Sequence, residues 1–228
     1  MSELTREQKE LYPFLDKGNK GGANNREFLI SSIKEKASSS AREKERFFQE
    51  NSDAVLEAAE LIAGVYRSGG RMFSMGNGGS SCDAAHFAVE FQHPVTAGRP
   101  SLPALNLGND TAMITAVSND LDFKHVFVRQ LEAQARENDG LIGFSTSGNS
   151  DNLIEAFRKA RELGLVTIGI TGGDGGFMLK SENIDRCLVV RSDSIHRVQE
   201  THVAIYHILW DLVHTLLSYN RGKLGGGM

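Results

Sequence analysis

The chain has 228 residues, of which 40% are hydrophobic and 24% charged, and its formal net charge is −4. Such a composition is typical of a globular protein and excludes a largely disordered chain. With 25 basic against 29 acidic residues, the chain lacks the basic surface expected of a nucleic-acid-binding protein. It has no apolar run of membrane-spanning length and its polar start does not resemble a signal peptide. Its two cysteines are too few for a disulfide framework, which favours a cytoplasmic protein. Together these features predict a protein that binds neither nucleic acid nor membrane.

The N-terminal quarter of the sequence predicts a flexible arm followed by two helices. Residues 1–25 are polar and contain a glycine-rich stretch, which is typical of an irregular arm. Asn24 or Asn25 can cap a first helix. A second helix is predicted after Ser52, because apolar residues recur there at the helical period until Gly69 and Gly70 end it.

From residue 72 onward, short apolar runs alternate with helical patterns, which predicts a five-stranded parallel sheet with helices on both faces. The fold class is therefore a doubly wound α/β fold with additional N-terminal helices. The clearest helical patterns cover residues 152–163 and a long final helix over residues 194–219. We predict one domain over residues 26–219, then a loose tail over residues 220–228. The predicted strands are residues 72–75, 104–107, 141–144, 166–170 and 187–190.

Two turns directly after predicted strands are rich in glycine and serine. The first, GNGGSS, covers residues 76–81 and is called here the glycine turn; the second, STSGNS, covers residues 145–150 and is called the hydroxyl turn. Both lead into predicted helices, whose N-termini attract anions, and the hydroxyl turn adds four hydroxyl groups that could surround a phosphate. Neither turn fits a nucleotide motif, because no Gly-Lys-Ser/Thr follows and Ser81 replaces the third glycine of a dinucleotide fingerprint. Ordinary turn chemistry stays the alternative.

Histidine and glutamate side chains on two predicted helices could form a second site. His86 and Glu90 are four residues apart, so they lie on one helical face and can offer a nitrogen and an oxygen to one metal ion. Such pairs are also common on solvated surfaces. The final helix carries Glu200, His202, His207 and His214, and periodicity alone does not tell which histidine turns inward.

Five segments together give the chain a resemblance to a known family. They are GNGGSSCDAAHFAVE, SNDLDF, STSGNS, TGGDGG and RVQETHVAIYHIL, and they occur in order over roughly residues 26–219. In this combination the sequence resembles the phosphoheptose isomerases, which are single sugar-isomerase (SIS) domains. The combination is specific, although any one of the segments alone would not be.

The resemblance implies an aldose–ketose isomerase that converts sedoheptulose 7-phosphate to D-glycero-D-manno-heptose 7-phosphate through an enediol, for the synthesis of heptose precursors of lipopolysaccharide. It implies Glu90 and His207 as the acid–base pair, and one zinc ion per subunit held by His86, Glu90, Gln199 and His207. It also implies a homotetramer with active sites where subunits meet. The substrate-binding positions that it implies are Asn77, Gly78, Gly79, Glu90, Asn119, Asp120, Ser145, Thr146, Ser147, Ser150 and Gln199.

Three features leave alternatives open. Pro94 and His196 stand where the family often has an arginine and an aspartate, so an isomerase of another sugar phosphate stays possible. Gln199 and His207 are eight residues apart, or about 12 Å along a continuous helix, which is far for two ligands of one ion. A related protein of the same fold binds the bacterial replication initiator without known catalysis, but it lacks the glutamate and the late histidine that are present here.

Overall fold

A computed structural model of the chain describes the backbone of residues 26–224 and the side chains of residues 26–218. The predicted arm over residues 1–25 and the last four residues of the predicted tail lie outside the described residues. The described part divides into two compact units, one ending at Arg42 and one beginning at Glu43. All functional features discussed below belong to the second unit.

The second unit is built on a five-stranded, all-parallel sheet with the strand order β2-β1-β3-β4-β5. The prediction of a doubly wound parallel sheet is confirmed, and each strand covers the run predicted for it to within about two residues. Runs of buried residues form β1, β3 and β4, as expected for strands covered on both faces. The strands are β1 (Met72–Gly76), β2 (Ala104–Asn106), β3 (Gly140–Ser145), β4 (Val166–Gly172) and β5 (Arg186–Val190).

Helices cover both faces of the sheet and form two separate apolar cores. One core joins the sheet to α1, α2 and α7, and the other joins it to α3, α4, α5 and α6. The first core positions His86, Glu90 and His207, because α2 and α7 carry these three side chains. The helices are α1 (Arg26–Arg67), α2 (Gly79–Gln92), α3 (Thr111–Asp120), α4 (Val128–Gln134), α5 (Asp151–Glu162), α6 (Gly176–Lys180) and α7 (Ile195–Leu224), with a short 3-10 helix at Phe123–His125.

The range given for α1 contains two helices that meet at a break, in agreement with the two predicted N-terminal helices. At Asn51 the backbone of α1 leaves the helical conformation (φ −127°, ψ 15°), one residue before the predicted second start at Ser52. The Asn51 amide donates to the carbonyl oxygen of Phe47 at 2.8 Å, which satisfies an acceptor at the break. The apolar side chains Phe28 and Ile33, in the unit that ends at Arg42, are exposed.

Helix α7 is longer than the sequence pattern predicts. It begins at Ile195, one residue after the predicted start, and continues to Leu224, so part of the predicted loose tail is helical. Gln199 therefore lies inside the helix, since four residues precede it. Among residues 26–224, no helix has both the length and the apolar character needed to cross a membrane.

Candidate active site

The glycine turn joins β1 to α2 through a sharp reversal of the chain. A side chain on Gly76 would place its first carbon 2.2 Å from the carbonyl oxygen of Ser80, so only glycine fits there. Gly78 precedes α2 with φ +54°, and Ser80 donates its backbone N–H back to Asn77. The turn thus presents the N-terminus of α2 at the carboxyl end of the sheet, where ligands bind in parallel α/β folds.

The hydroxyl turn, between β3 and α5, is held by its own hydrogen bonds. Ser145 Oγ accepts from the backbone N–H of Gly148 at 3.0 Å and lies 3.5 Å from Ser150 Oγ. Gly148 has φ +67°, and a side chain there would meet the carbonyl oxygen of Gly175 at 2.2 Å. The hydroxyl groups are therefore fixed by a turn that a larger residue at position 148 cannot form.

The two turns meet around one pocket of about 130 Å³. Asn77 is anchored there by two reciprocal amide hydrogen bonds with Asn152, at 2.8 and 2.9 Å. The space is ample for a phosphate group, and hydroxyl groups, an amide and helix N-termini surround it. The lining residues are Asn77, Ser80, Phe144, Ser145, Thr146, Ser147 and Ser150, which include five of the predicted substrate-binding positions.

An adjoining pocket of about 420 Å³ shares Asn77 and Ser150 with the first and adds the side chain of Lys124. Sequence reasoning did not single out Lys124, although it directly follows the SNDLDF segment. The predicted positions Asn119 and Asp120 lie at the end of α3, are exposed, and line neither of these two pockets. The Asn119 amide instead donates to Asp120 Oδ1 at 2.8 Å.

His86, Glu90 and His207 form a cluster, called here the His–Glu cluster. Each can offer one ligand atom such that all three atoms lie within 4.8 Å of one another. His86 Nε2 is 3.0 Å from Glu90 Oε1, and the imidazole rings of His86 and His207 meet edge to face at 5.1 Å. Two imidazoles and one carboxylate are donors that Zn²⁺ accepts, so the residues present fit a divalent metal ion.

Gln199 packs against the N-terminal end of α2, whereas His86 lies near the middle of that helix. A carbon added at Gly79 would be 2.2 Å from Gln199 Nε2, so the glutamine amide packs on the first turn of α2. His86 follows seven residues later, or about 10 Å along the helix. This position places Gln199 beside the glycine turn, and its predicted ligation of the metal stays a prediction.

Comparison with known proteins identifies the family. The chain matches the SIS domain family over residues 37–172. It is 44% identical over 184 residues to the phosphoheptose isomerase of Pelodictyon phaeoclathratiforme, and the alignment covers 80% of this chain and 87% of that protein. The chain belongs to the phosphoheptose isomerases of the SIS domain family. The phosphoheptose isomerase of Chlorobaculum tepidum is 40% identical over 206 residues, covering 89% of this chain and 96% of that protein.

Solved phosphoheptose isomerase structures share the fold. The enzyme from Francisella tularensis superposes with a TM-score of 0.77 at 33% identity, covering 82% of this chain and 98% of that one. The enzyme from Neisseria gonorrhoeae gives 0.76 at 34% identity, covering 82% and 99%. The predicted family is thereby confirmed, and the chain is an aldose–ketose isomerase.

The electrostatics of this phosphoheptose isomerase site favour a neutral late histidine. Burial lowers the pKa of His207, the neighbouring His86 lowers it further, and Glu90 partly opposes both. Burial also raises the pKa of Asp83 to about 6, with His86 acting in the opposite direction. Asp83 is one helical turn before His86 on α2, so a second carboxyl group lies behind the cluster.

Two aromatic side chains of α7 contact the His–Glu cluster, and sequence reasoning missed both. The hydroxyl group of Tyr206 lies 2.6 Å from His86 Nδ1, and Trp210 Nε1 donates to the carbonyl oxygen of Glu90 at 2.9 Å. Burial, with the negative charges of Asp83 and Glu90, raises the pKa of Tyr206. In the sequence both residues stand among the apolar residues of α7. Only the O–H group of Tyr206 and the N–H group of Trp210 distinguish them from ordinary core residues.

Arg99 is the basic residue nearest to Pro94 in the sequence, and it is occupied elsewhere. Its guanidinium lies over the ring of Trp210, 5.0 Å from the centroid, and pairs with Asp211 Oδ1 at 2.5 Å. These contacts tie the loop after α2 to α7. His196, the second departure from the family pattern, is exposed near the start of α7.

Proposed function

We propose that this sugar-phosphate isomerase of heptose biosynthesis converts sedoheptulose 7-phosphate to D-glycero-D-manno-heptose 7-phosphate, with Glu90 as base and His207 as acid. The observation that carries the proposal is the His–Glu cluster, which brings a carboxylate and an imidazole from α2 and α7 together. Relatives at 40–44% identity bear the name phosphoheptose isomerase, which supports a heptose phosphate as substrate.

The phosphate end of the substrate is proposed to bind at the two turns. Hydroxyl groups of Ser145, Thr146 and Ser147, with the N-termini of α2 and α5, can surround its oxygens. The His–Glu cluster begins about 10 Å further along α2, a distance that an open-chain sugar can bridge from its phosphate to its carbonyl group. Binding of the phosphate would thus orient the reacting carbons, and remote binding energy would lower the barrier.

At the carbonyl end, the isomerisation moves a proton between neighbouring carbons. Glu90 removes a proton from carbon, an enediol forms, and the proton returns to the adjacent carbon. His207 moves a proton from the hydroxyl oxygen to the carbonyl oxygen of the substrate, a role that suits an imidazole whose surroundings favour its neutral form. Trp210 Nε1 donates to the backbone carbonyl oxygen of Glu90, which fixes the backbone that carries the proposed base.

His86, Glu90 and His207, with Gln199 as a fourth candidate, are the residues proposed to hold one zinc ion. When bound, a divalent cation supplies Lewis acidity that stabilises negative charge on the oxygens of the enediol. The active form is proposed to be a homotetramer with sites between subunits. Val89 and Ile208 support this proposal, because these exposed apolar side chains directly adjoin Glu90 and His207.

The test is an assay of the purified full chain against a panel of ketose phosphates that includes sedoheptulose 7-phosphate. We expect turnover of the heptose phosphate, its loss with a chelator, and its return with Zn²⁺. Turnover of a different ketose phosphate alone would transfer the proposal to that sugar. No turnover together with capture of the replication initiator would instead support the non-catalytic alternative. Light scattering of the same sample measures the subunit number.

A further inference from the structure

Tyr206 is a buried polar side chain to which the proposed chemistry gives no role. It is 2% exposed and directly precedes His207 on α7. Its hydroxyl group lies 2.6 Å from Nδ1 of His86, whereas Nε2 of the same ring lies 3.0 Å from Glu90 Oε1. The two ring nitrogens of His86 therefore face different partners, and the tyrosine takes the nitrogen that faces away from Glu90.

Packing fixes the position of that hydroxyl group. The Tyr206 ring meets Phe144 of β3 edge to face at 5.9 Å and meets the His86 ring at 5.3 Å. It belongs to the core that joins the sheet to α2 and α7. Because the ring is held on both sides, the hydroxyl group can orient the imidazole at little further cost in conformational entropy.

An imidazole that offers the lone pair of Nε2 to a metal carries its proton on Nδ1. A second partner at Nδ1 fixes this tautomer and the orientation of the ring, and such partners commonly contribute 10–100-fold to metal affinity. On the basis of the proposed function, we infer that Tyr206 is a positioning residue: its hydroxyl oxygen accepts a hydrogen bond from the Nδ1–H group of His86 and so presents Nε2 to the divalent cation.

The test compares Tyr206→Phe with Tyr66→Phe in the full chain. Tyr66 is a matched control, because its hydroxyl oxygen is buried in the same core and has no hydrogen-bond partner among the described residues. Zn²⁺ affinity is measured by competition with a chromophoric chelator, and Co²⁺ is added to record the visible absorption of the site. We expect about 10–100-fold weaker Zn²⁺ binding and an altered Co²⁺ spectrum in Tyr206→Phe alone.

Unchanged Zn²⁺ affinity and an unchanged Co²⁺ spectrum in a folded Tyr206→Phe protein would overturn the inference. Equal losses in both tyrosine variants would also overturn it, since they would point to general loosening of the core. If thermal unfolding shows that Tyr206→Phe is not folded, Tyr206→Met is measured in its place. His86→Ala separates the two proposals. If wild-type protein binds Zn²⁺ no more tightly than His86→Ala, the metal site itself is refuted. If Zn²⁺ affinity falls in His86→Ala but not in Tyr206→Phe, only the role of Tyr206 is refuted.

Discussion

The hydroxyl turn and the His–Glu cluster are built in different ways. The hydroxyl turn is largely local: the hydrogen bonds of its serine hydroxyl groups join residues within one six-residue segment, and a single backbone conformation at Gly148 closes it. Two backbone N–H groups of α6, those of Phe177 and Met178, donate to the turn from outside this segment. The His–Glu cluster joins side chains from α2 and α7, which lie far apart in the chain and meet only through the packing of two helices. Substitutions in the core should therefore change the geometry of the cluster more than that of the turn. Substitutions at Gly148 should change the geometry of the turn more than that of the cluster.

The largest expected effect is at the cluster. Glu90→Gln keeps the shape of the side chain but removes the proposed base, so we expect turnover to fall by about 10²–10⁴-fold. Substrate binding through the hydroxyl turn should be little affected, which isothermal titration with the sugar phosphate can measure. Glu137→Gln, a change at an exposed glutamate, is the control. Full activity in Glu90→Gln would remove the proposed base.

Acid should weaken the packing of α7, the helix that carries His207 of the cluster. His202 lies on α7 between Gln199 and His207, and burial lowers its pKa to about 4, with the backbone of Thr171 offsetting part of the effect. The unfolded chain, with an ordinary histidine pKa near 6.5, binds this proton more readily than the folded chain. The free energy of unfolding should therefore fall as the pH drops from about 6.5 to about 4, by roughly 3 kcal/mol from this group at most.

Urea unfolding of wild type and His202→Leu across that pH range tests the assignment. The variant should lose less stability than wild type between pH 6.5 and pH 4, because its side chain takes up no proton. Replacement of the exposed His93 by leucine should leave the acid part of the curve as it is in wild type. Parallel curves for His202→Leu and wild type would contradict the prediction.

The sequence predicts most of the fold because the signals are local. Short apolar runs, several of them followed by glycine-rich or serine-rich turns, predict all five strands. The break in α1 at Asn51 is one residue from the start predicted at Ser52. The sequence predicts the end of α7 too early, because the pattern of apolar residues fades before the helix ends at Leu224.

The site could be predicted only in part. The spacing of His86 and Glu90 places both on one face of α2, so that pair follows from the sequence. Periodicity does not single out His207 on α7, because His214 repeats it after seven residues and His202 is also polar. Only the packing decides: His202 and His214 are buried, and His207 meets His86. For the same reason, the contacts of Tyr206 and Trp210 required the structure.

A smaller effect is expected at the hydroxyl turn. Gly148→Ala combines an unfavourable positive φ with a contact of 2.2 Å to the Gly175 carbonyl oxygen, so the turn must shift. We expect about 1–3 kcal/mol lower stability and a clear rise in KM for the phosphorylated sugar. Gly164→Ala is matched: its φ of +76° is equally unfavourable, but nothing lies within 4 Å of the added carbon. It should lower stability without changing KM, and equal KM values in the two variants would contradict the role of the turn.

The smallest expected effect distinguishes the cluster from the hydroxyl turn most clearly, because it should change kcat without changing KM. Trp210→Phe keeps an aromatic ring near Arg99 but removes the N–H group that donates to the carbonyl oxygen of Glu90 at 2.9 Å. One such hydrogen bond contributes about 1 kcal/mol to stability, and if all of it were lost from the transition state the factor would be about five, so we expect kcat to fall by no more than about fivefold. KM should stay unchanged, because Trp210 does not line the pocket between the two turns. Arg99→Ala removes the cation above the ring and leaves the N–H group; an equal fall in kcat there would assign the effect to packing of the loop rather than to the position of Glu90.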